Sequence, residues 1–238
     1  MKTRLILLAA SLTICVVFFY YGRGLWYPTY IKLTGKRTVA DVVSAVGTEA
    51  RSRLLPYFNS SGVTYPPKKI TLLATKDNRR LELWANENTG PKYIRTFQVQ
   101  AQSGLPGPKL REGDRQVPEG VYRIEGLNPN SSYYLSMKLN YPNEFDLIHA
   151  QVEERQYPGS NIFIHGKAVS IGCLAMGDEV IEELFVLVHD VGKSNVKVVI
   201  APTDPRRSSL DASAKPAWVT ELYDIIENEF KYYVQNET

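Results

Sequence analysis

From Leu5 to Gly22 the chain carries no charged residue, and the run is bounded by Lys2 and Arg4 before it and Arg23 after it. A stretch of this length is about what a helix needs to cross hydrocarbon. Tyr20, Tyr21, Trp26 and Tyr27 add the aromatics expected at a membrane interface. No small-x-small cleavage site follows, so the pattern predicts a retained N-terminal membrane helix, with a cleaved export signal as the alternative. Next, Val39, Val42, Val43, Val46, Ala50, Leu54 and Leu55 recur at helical spacing behind Thr38, a candidate N-cap, and predict one amphipathic helix or two. The turn formers of "NSSGVTYPPKK" break that pattern and mark a boundary. Beyond it "KKITLLAT", "RLELWAN" and "YIRTFQVQAQ" read as strands of a meander, and "GVYRIEG" and "SYYLSMKLN" as two more strands between Gly- and Pro-rich loops. "NIFIHG" is a buried strand running out at Gly166, and "DEVIEELFVLVHDVGK" a helix with Asp178 as N-cap and Gly192 near its stop. "NVKVVIAP" is a further strand, and "KPAWVTELYDIIENEFKYYVQ" a closing amphipathic helix.

This pattern divides the 238 residues into a membrane segment at 1–24, a helical linker region at 25–66, a β-rich body at 67–205 and a helix at 206–238 packed on that body. A hydrophobic content of 44% suffices for a sizeable core. The 28 Lys and Arg against 25 Asp and Glu leave a net charge of only +3, without the basic footprint of a nucleic-acid binder.

Two cysteines change the picture. Cys15 lies in the apolar run and Cys173 in "IFIHGKAVSIGCLAM", so the pair is not expected to form a disulfide. A free thiol in an exported protein is exposed to oxidation and calls for a reason. His165 ends a strand and Cys173 precedes a helix, so a chain reversal could bring a base to a thiol, which is what a cysteine nucleophile requires. Gly172 would leave room for a substrate carbonyl beside the N–H groups of Gly172 and Cys173, which could bind a developing oxyanion. The residues alone leave packing open as the alternative, since free cysteine is among the most buried residue types. His149 either lines a cleft or is a hydrogen-bonded loop histidine, and His189 sits in the last turn of a helix with no function assigned. Metal binding is a poor alternative, with no second cysteine nearby and no closely spaced histidine pair.

"IHG" followed by "SIGC" resembles the signature of the L,D-transpeptidase catalytic (YkuD-type) domain family. "SGLPGPKLREGDRQVPEGVYRIE", with Pro118, Glu119, Gly120 and Tyr122, resembles that family's approach to its site, and the likeness covers roughly Lys69 to Pro202. The resemblance implies a mainly β domain with a few helices, a β-rich α+β fold of curved packed sheets, which needs no cofactor. It implies Cys173 as nucleophile, His165 as general base and acid, the Gly166 carbonyl orienting the imidazole, and Gly172 and Cys173 as the oxyanion hole. The implied substrate is a peptidoglycan stem peptide, attacked at the carbonyl of its third residue to give a thioester that an amine or water resolves.

Ile171, Ala175 and a short His-to-Cys spacing depart from the common pattern and, with "GLPGPKLREGD" and "LNYPNEFD", resemble the YafK-like branch. That branch includes enzymes that hydrolyse the bond between peptidoglycan and an attached lipoprotein. The reading is therefore a cysteine acyltransferase, with two alternatives: a hydrolase on the same site, acting as L,D-carboxypeptidase or lipoprotein-releasing amidase, and an inactive wall-binding module. Ser170, Tyr122, Tyr141, Asn143, Asp146 and His149 are the candidates for substrate binding, with Tyr141, Asn143 and Asp146 placed to hold an incoming amine. An extracytoplasmic substrate implies a single-pass protein of a bacterial inner membrane, spanning through residues 5–22 with its catalytic domain in the periplasm.

Overall fold

The computed structural model describes residues 2–234. Three helices, α1 (Lys2–Tyr21), α2 (Arg23–Thr34) and α3 (Val39–Ser60), precede a mixed sheet. Its strands are β1 (Ile70–Thr75), β2 (Arg80–Glu87), β3 (Gly90–Gln98), β4 (Gly120–Ser131), β5 (Tyr134–Leu139), β6 (Phe163–His165), β7 (Leu174–Ala175) and β8 (Val196–Ala201). Helices α4 (Glu144–Val152), α5 (Asp178–Val191) and α6 (Val219–Lys231) complete the chain. The strands are ordered β3-β2-β1-β8-β4-β5-β6-β7.

Strands β1 and β8, "ITLLAT" and "VKVVIA", pair in parallel at the middle of the sheet, and their nearly unbroken apolar runs reflect burial on both faces. Alternation sends Leu72, Ala74, Val198 and Ile200 to a core shared with Leu54 and Phe58 of α3 and Leu184 and Phe185 of α5. Leu73 and Val199 point the other way, onto Val219, Leu222, Ile226 and Phe230 of α6. Strand β4 serves both halves of the sheet: Gly120 to Arg123 pair with β8, and from Ile124 onward the strand pairs with β5. A register shift between Ile124 and Gly126 re-aims the chain there, as a bulge does. This bend sets β5, β6 and β7, which carry the candidate site, at an angle of their own.

The expectation of a mainly β fold is corrected to a mixed α+β one: the six α-helices hold more residues than the eight strands. Most of the excess comes from α3, a single helix that buries Val42, Ala50, Leu54 and Phe58. Its N-cap is Thr38, whose hydroxyl accepts from the Asp41 N–H in a capping box. At α5 the cap is Gly177 rather than Asp178, which is the first helical residue and bonds Lys167. The expected membrane helix is not supported as a single span. Among the described residues no single helix is long and apolar enough to cross a membrane, and only the pair Ile6–Phe19 and Arg23–Thr34, bent by 73°, has that length and composition together.

The long Gly- and Pro-rich loop between β3 and β4 is held by a buried ion pair. Lys76 Nζ lies 3.0 Å from Glu119 Oε1 and donates to the carbonyls of Gly107 and Val117. The other acceptor atom of Glu119 takes the Tyr223 hydroxyl of α6 at 2.9 Å, and Gly107 N–H donates to Glu119 Oε1 at 2.6 Å. Each charge is desolvated but fully hydrogen-bonded, so loss of one partner strands the other. Glu119→Ala is expected to cost about 3–5 kcal/mol in urea unfolding, the range for breaking a buried pair from one side. A loss under about 1 kcal/mol, as for an exposed pair, would show that the loop is held otherwise.

Candidate active site

Strands β6 and β7 pair in parallel, with Ile164 opposite Leu174 and His165 opposite Ala175. Ile164 and Leu174 both enter the core. Alternation then puts His165 and Cys173, their chain neighbours, on the opposite face of the sheet, on the same side as each other. Cys173 precedes His165's partner by two residues, which places the two residues diagonally across the β6–β7 pair.

The imidazole has one orientation imposed on it. Its Nδ1 lies 2.6 Å from the carbonyl oxygen of Gly166. A carbonyl can only accept, so Nδ1 carries the proton, and in the neutral ring Nε2 presents its lone pair. Burial holds the His165 pKa below its ordinary value, partly opposed by the Gly166 bond, so the ring is neutral at pH 7. Position 166 has to be glycine, because a Cβ there would meet the Tyr133 carbonyl at 2.7 Å and Asp178 Oδ1 at 2.8 Å. The Tyr133 ring covers the imidazole, with centroids 4.5 Å apart.

Cys173 is a half-buried free thiol, and its Sγ lies 4.0 Å from the Asn161 carbonyl. Burial pushes its pKa up, against smaller opposing effects of the Phe163 backbone and the Lys109 charge. Burial thus disfavours the charged form of each group, the imidazolium and the thiolate alike. Gly172 adopts φ +92°, a left-handed conformation that suits glycine.

The backbone donors expected to form an oxyanion hole are engaged within the chain. Gly172 N–H donates to Ser103 Oγ at 2.6 Å, and Cys173 N–H donates to Ser170 Oγ at 2.9 Å. Ser103 Oγ donates in turn to the Arg115 carbonyl, and Ser170 Oγ to the Cys173 carbonyl. An arriving carbonyl has to displace these hydroxyls to reach the N–H groups. Sequence reasoning missed Ser103, Lys109, Tyr133 and Asn161. Ser103 lies 69 residues from its partner, and no local pattern signals that pairing.

Tyr122, Tyr141, Asn143, Asp146 and His149, expected as substrate contacts, all make contacts within the chain. "NEFDLIHAQ" folds as α4 rather than as a loop, because Asn143 and Asp146 form a reciprocal capping box. Tyr122 is buried, its hydroxyl donating to the Glu119 carbonyl, and Tyr141 is buried with its hydroxyl on the Pro158 carbonyl. His149 stacks on Trp218 at 5.0 Å. Burial pushes the Asp146 carboxyl up to about 6. A carboxyl raised on folding contributes stability at low pH and loses that contribution as pH rises through the folded value. Asp146→Asn never ionises, so its Tm relative to wild type is expected to rise between pH 4 and pH 8. A difference that stays flat, or falls, would place the charge in a polar setting.

Comparison with known proteins follows the same boundaries. The family described as YkuD: L,D-transpeptidase catalytic domain matches residues 69–200. YafK of Escherichia coli strain K12, provisionally named an L,D-transpeptidase, is 35% identical over 132 residues, covering 53% of this chain and 51% of YafK. The chain thus spans about half the length of the curated relatives it matches. Among solved structures, the helical cell shape determining protein Pgp2 of Campylobacter jejuni is 18% identical with a TM-score of 0.48, over 71% of each chain. Bd1075 of Bdellovibrio bacteriovorus is 20% identical with a TM-score of 0.42, over 59% of this chain and 50% of its own.

Proposed function

Because this chain belongs to the L,D-transpeptidase catalytic domain (YkuD) family, we propose that it modifies peptidoglycan by acyl transfer through Cys173. One observation carries the reading most: the Gly166 carbonyl fixes the His165 tautomer so that Nε2 is left with its lone pair, on the strand paired with the one that Cys173 precedes. As Sγ bonds to the carbonyl carbon of the third stem residue, Nε2 takes the thiol proton. The oxyanion that forms is met by the Gly172 and Cys173 N–H groups, released from the Ser103 and Ser170 hydroxyls. Collapse breaks the C–N bond to the following residue, whose amine leaves with the proton from Nε2, and a thioester remains. An amine or water then gives its proton to Nε2 and attacks, regenerating the thiol. The Lys76–Glu119 pair supports this by holding the loop that delivers Ser103 and Lys109.

Hydrolysis on the same site is the second reading, and one observation favours it. Tyr141, Asn143 and Asp146, the residues expected to hold an amine, are committed to capping and packing. Mass spectrometry of muropeptides incubated with the protein separates the outcomes. New cross-links, or exchange of the terminal residue for added D-amino acid, indicate transfer. A shortened stem indicates carboxypeptidase action, and loss of a lipoprotein remnant indicates the amidase. Unaltered muropeptides would favour the inactive wall-binding module and overturn the proposal. The same reading locates the domain in the periplasm of a bacterium, with the N-terminal helices at the inner membrane.

A further inference from the structure

The net charge of +3 hides an asymmetry. Lys2, Arg4, Arg23, Lys32, Lys36 and Arg37 all precede the first acidic residue, Asp41, so six of the 28 basic side chains and none of the 25 acidic ones lie in the first 40 residues. The structure gathers part of this charge at one place. A groove of about 350 Å³ runs between α2 and the β4–β5 hairpin, lined by Arg23, Tyr27, Tyr30, Thr34, Arg37 and Tyr134.

The guanidinium of Arg23 lies over the rings of Tyr27 and Trp26, 4.2 and 5.2 Å from their centroids, and its Nε is buried without a hydrogen-bond partner. Arg37 is fixed in the hairpin: its N–H donates to Asn130 Oδ1, its carbonyl accepts from Asn130 Nδ2, and its guanidinium donates to the Pro129 carbonyl. Neither arginine has a carboxylate partner among the described residues. The carboxylate nearest in the bonding network is Glu182, which accepts from Tyr134 and is itself paired with Arg53. The groove thus holds two fixed guanidinium groups, tyrosine hydroxyls and no neutralising anion.

Directly before it, α1 leaves Ile6, Leu7, Leu8, Leu12 and Ile14 exposed by 65–70%. A phosphate site at the foot of an uncovered apolar helix matches the order of a lipid, head group beside tail. Guanidinium groups suit that anion because each presents a fork of donors to phosphate oxygens.

We propose that this groove binds the head group of an anionic glycerophospholipid, anchoring α2 at the membrane surface while α1 contacts acyl chains. The docking element is close to the candidate site: the turn between β4 and β5 carries Tyr133, whose ring lies tilted against His165 with centroids 4.5 Å apart. The assignment does not depend on the reaction proposed above, and its test reads lipid binding alone.

The full chain, held in an uncharged maltoside detergent, is titrated with short-chain phosphatidylglycerol, short-chain phosphatidylcholine or inorganic phosphate, and Tm is followed. A bound ligand raises Tm in a saturable way. Phosphatidylglycerol is expected to do so, with a half-saturation at least tenfold lower than that of phosphatidylcholine and rising with salt. Arg23→Gln and Arg37→Gln, each checked for an unchanged Tm without lipid, are expected to raise that half-saturation at least tenfold. If either variant is too unstable, the head-group preference and salt dependence of the unaltered chain decide alone. Equal responses to the two lipids, or undiminished response in both variants, would overturn the proposal. So would an equal shift from inorganic phosphate, which would mark a free-anion site.

Discussion

Cys173→Ala is expected to abolish turnover of muropeptides and to remove every covalent adduct left by a carbapenem. The lactam carbonyl is a strained acyl donor, so it tests thiol attack without requiring the natural acceptor. The fold should survive the change, because Cys173 is half-buried and its thiol makes only a long contact, 4.0 Å, with the Asn161 carbonyl. An adduct confined to Cys15, the exposed thiol of α1, or full activity in the variant would remove Cys173 from the mechanism.

His165→Gln is expected to lower acylation by ~10²–10⁴-fold, the usual worth of a general acid–base. Its pH dependence separates base catalysis from mere support. Burial lowers the His165 pKa, and the ring accepts a proton only when neutral, so the wild-type rate should rise as pH climbs through a midpoint below the ordinary histidine value. The variant should lose that acid limb. Alkylation of Cys173 by iodoacetamide needs thiolate alone, and the raised thiol pKa puts its midpoint above the ordinary cysteine range in both proteins. A midpoint well below that range would mean that the resting site is an ion pair. His149→Ala, a change in a residue stacked on Trp218, should leave acylation nearly unaltered.

The outer parts of this protein were legible from local pattern. Thr38 marked the start of α3, Gly192 the stop of α5, and the alternation of "SYYLSMKLN" gave β5. The motif "IHG" with "SIGC" singled out His165, Gly166 and Cys173 because the reacting groups lie close together in sequence. The surroundings of the site were not legible, for a physical reason. Ser103, Lys109 and Tyr133 come from two separate loops, and their approach depends on the bend of β4 and on the buried Lys76–Glu119 pair. Polar residues near the motif attracted a substrate role although their short spacing already specified a cap. Asn143 followed three residues later by Asp146 is a helix-start signal, and it places His149 on α4 rather than in a loop. The apolar run from Leu5 to Gly22 corresponds to α1, and the break at Gly22 that sets α2 at 73° to it carries no signal in the hydrophobic pattern.

The oxyanion donors illustrate how a motif can name residues and still leave their state undecided. The N–H groups of Gly172 and Cys173 hold the hydroxyls of Ser103 and Ser170, so the proposed acyl transfer would require an exchange of hydrogen bonds as substrate arrives. That exchange is compatible with either an amine or water as the final acceptor. The acyl intermediate is common to both routes, and it is the central claim.

The most direct test is to trap that intermediate. The full chain is incubated with a muropeptide whose stem ends in a D-amino acid, quenched in acid and digested, and the peptide containing Cys173 is weighed. A hydroxylamine-labile mass increase on Cys173 equal to the muropeptide less its released terminal amino acid is expected, and it should be absent from Cys173→Ala. Stem processing that continues in Cys173→Ala, with no acyl group found on Cys173 in the unaltered chain, would contradict it.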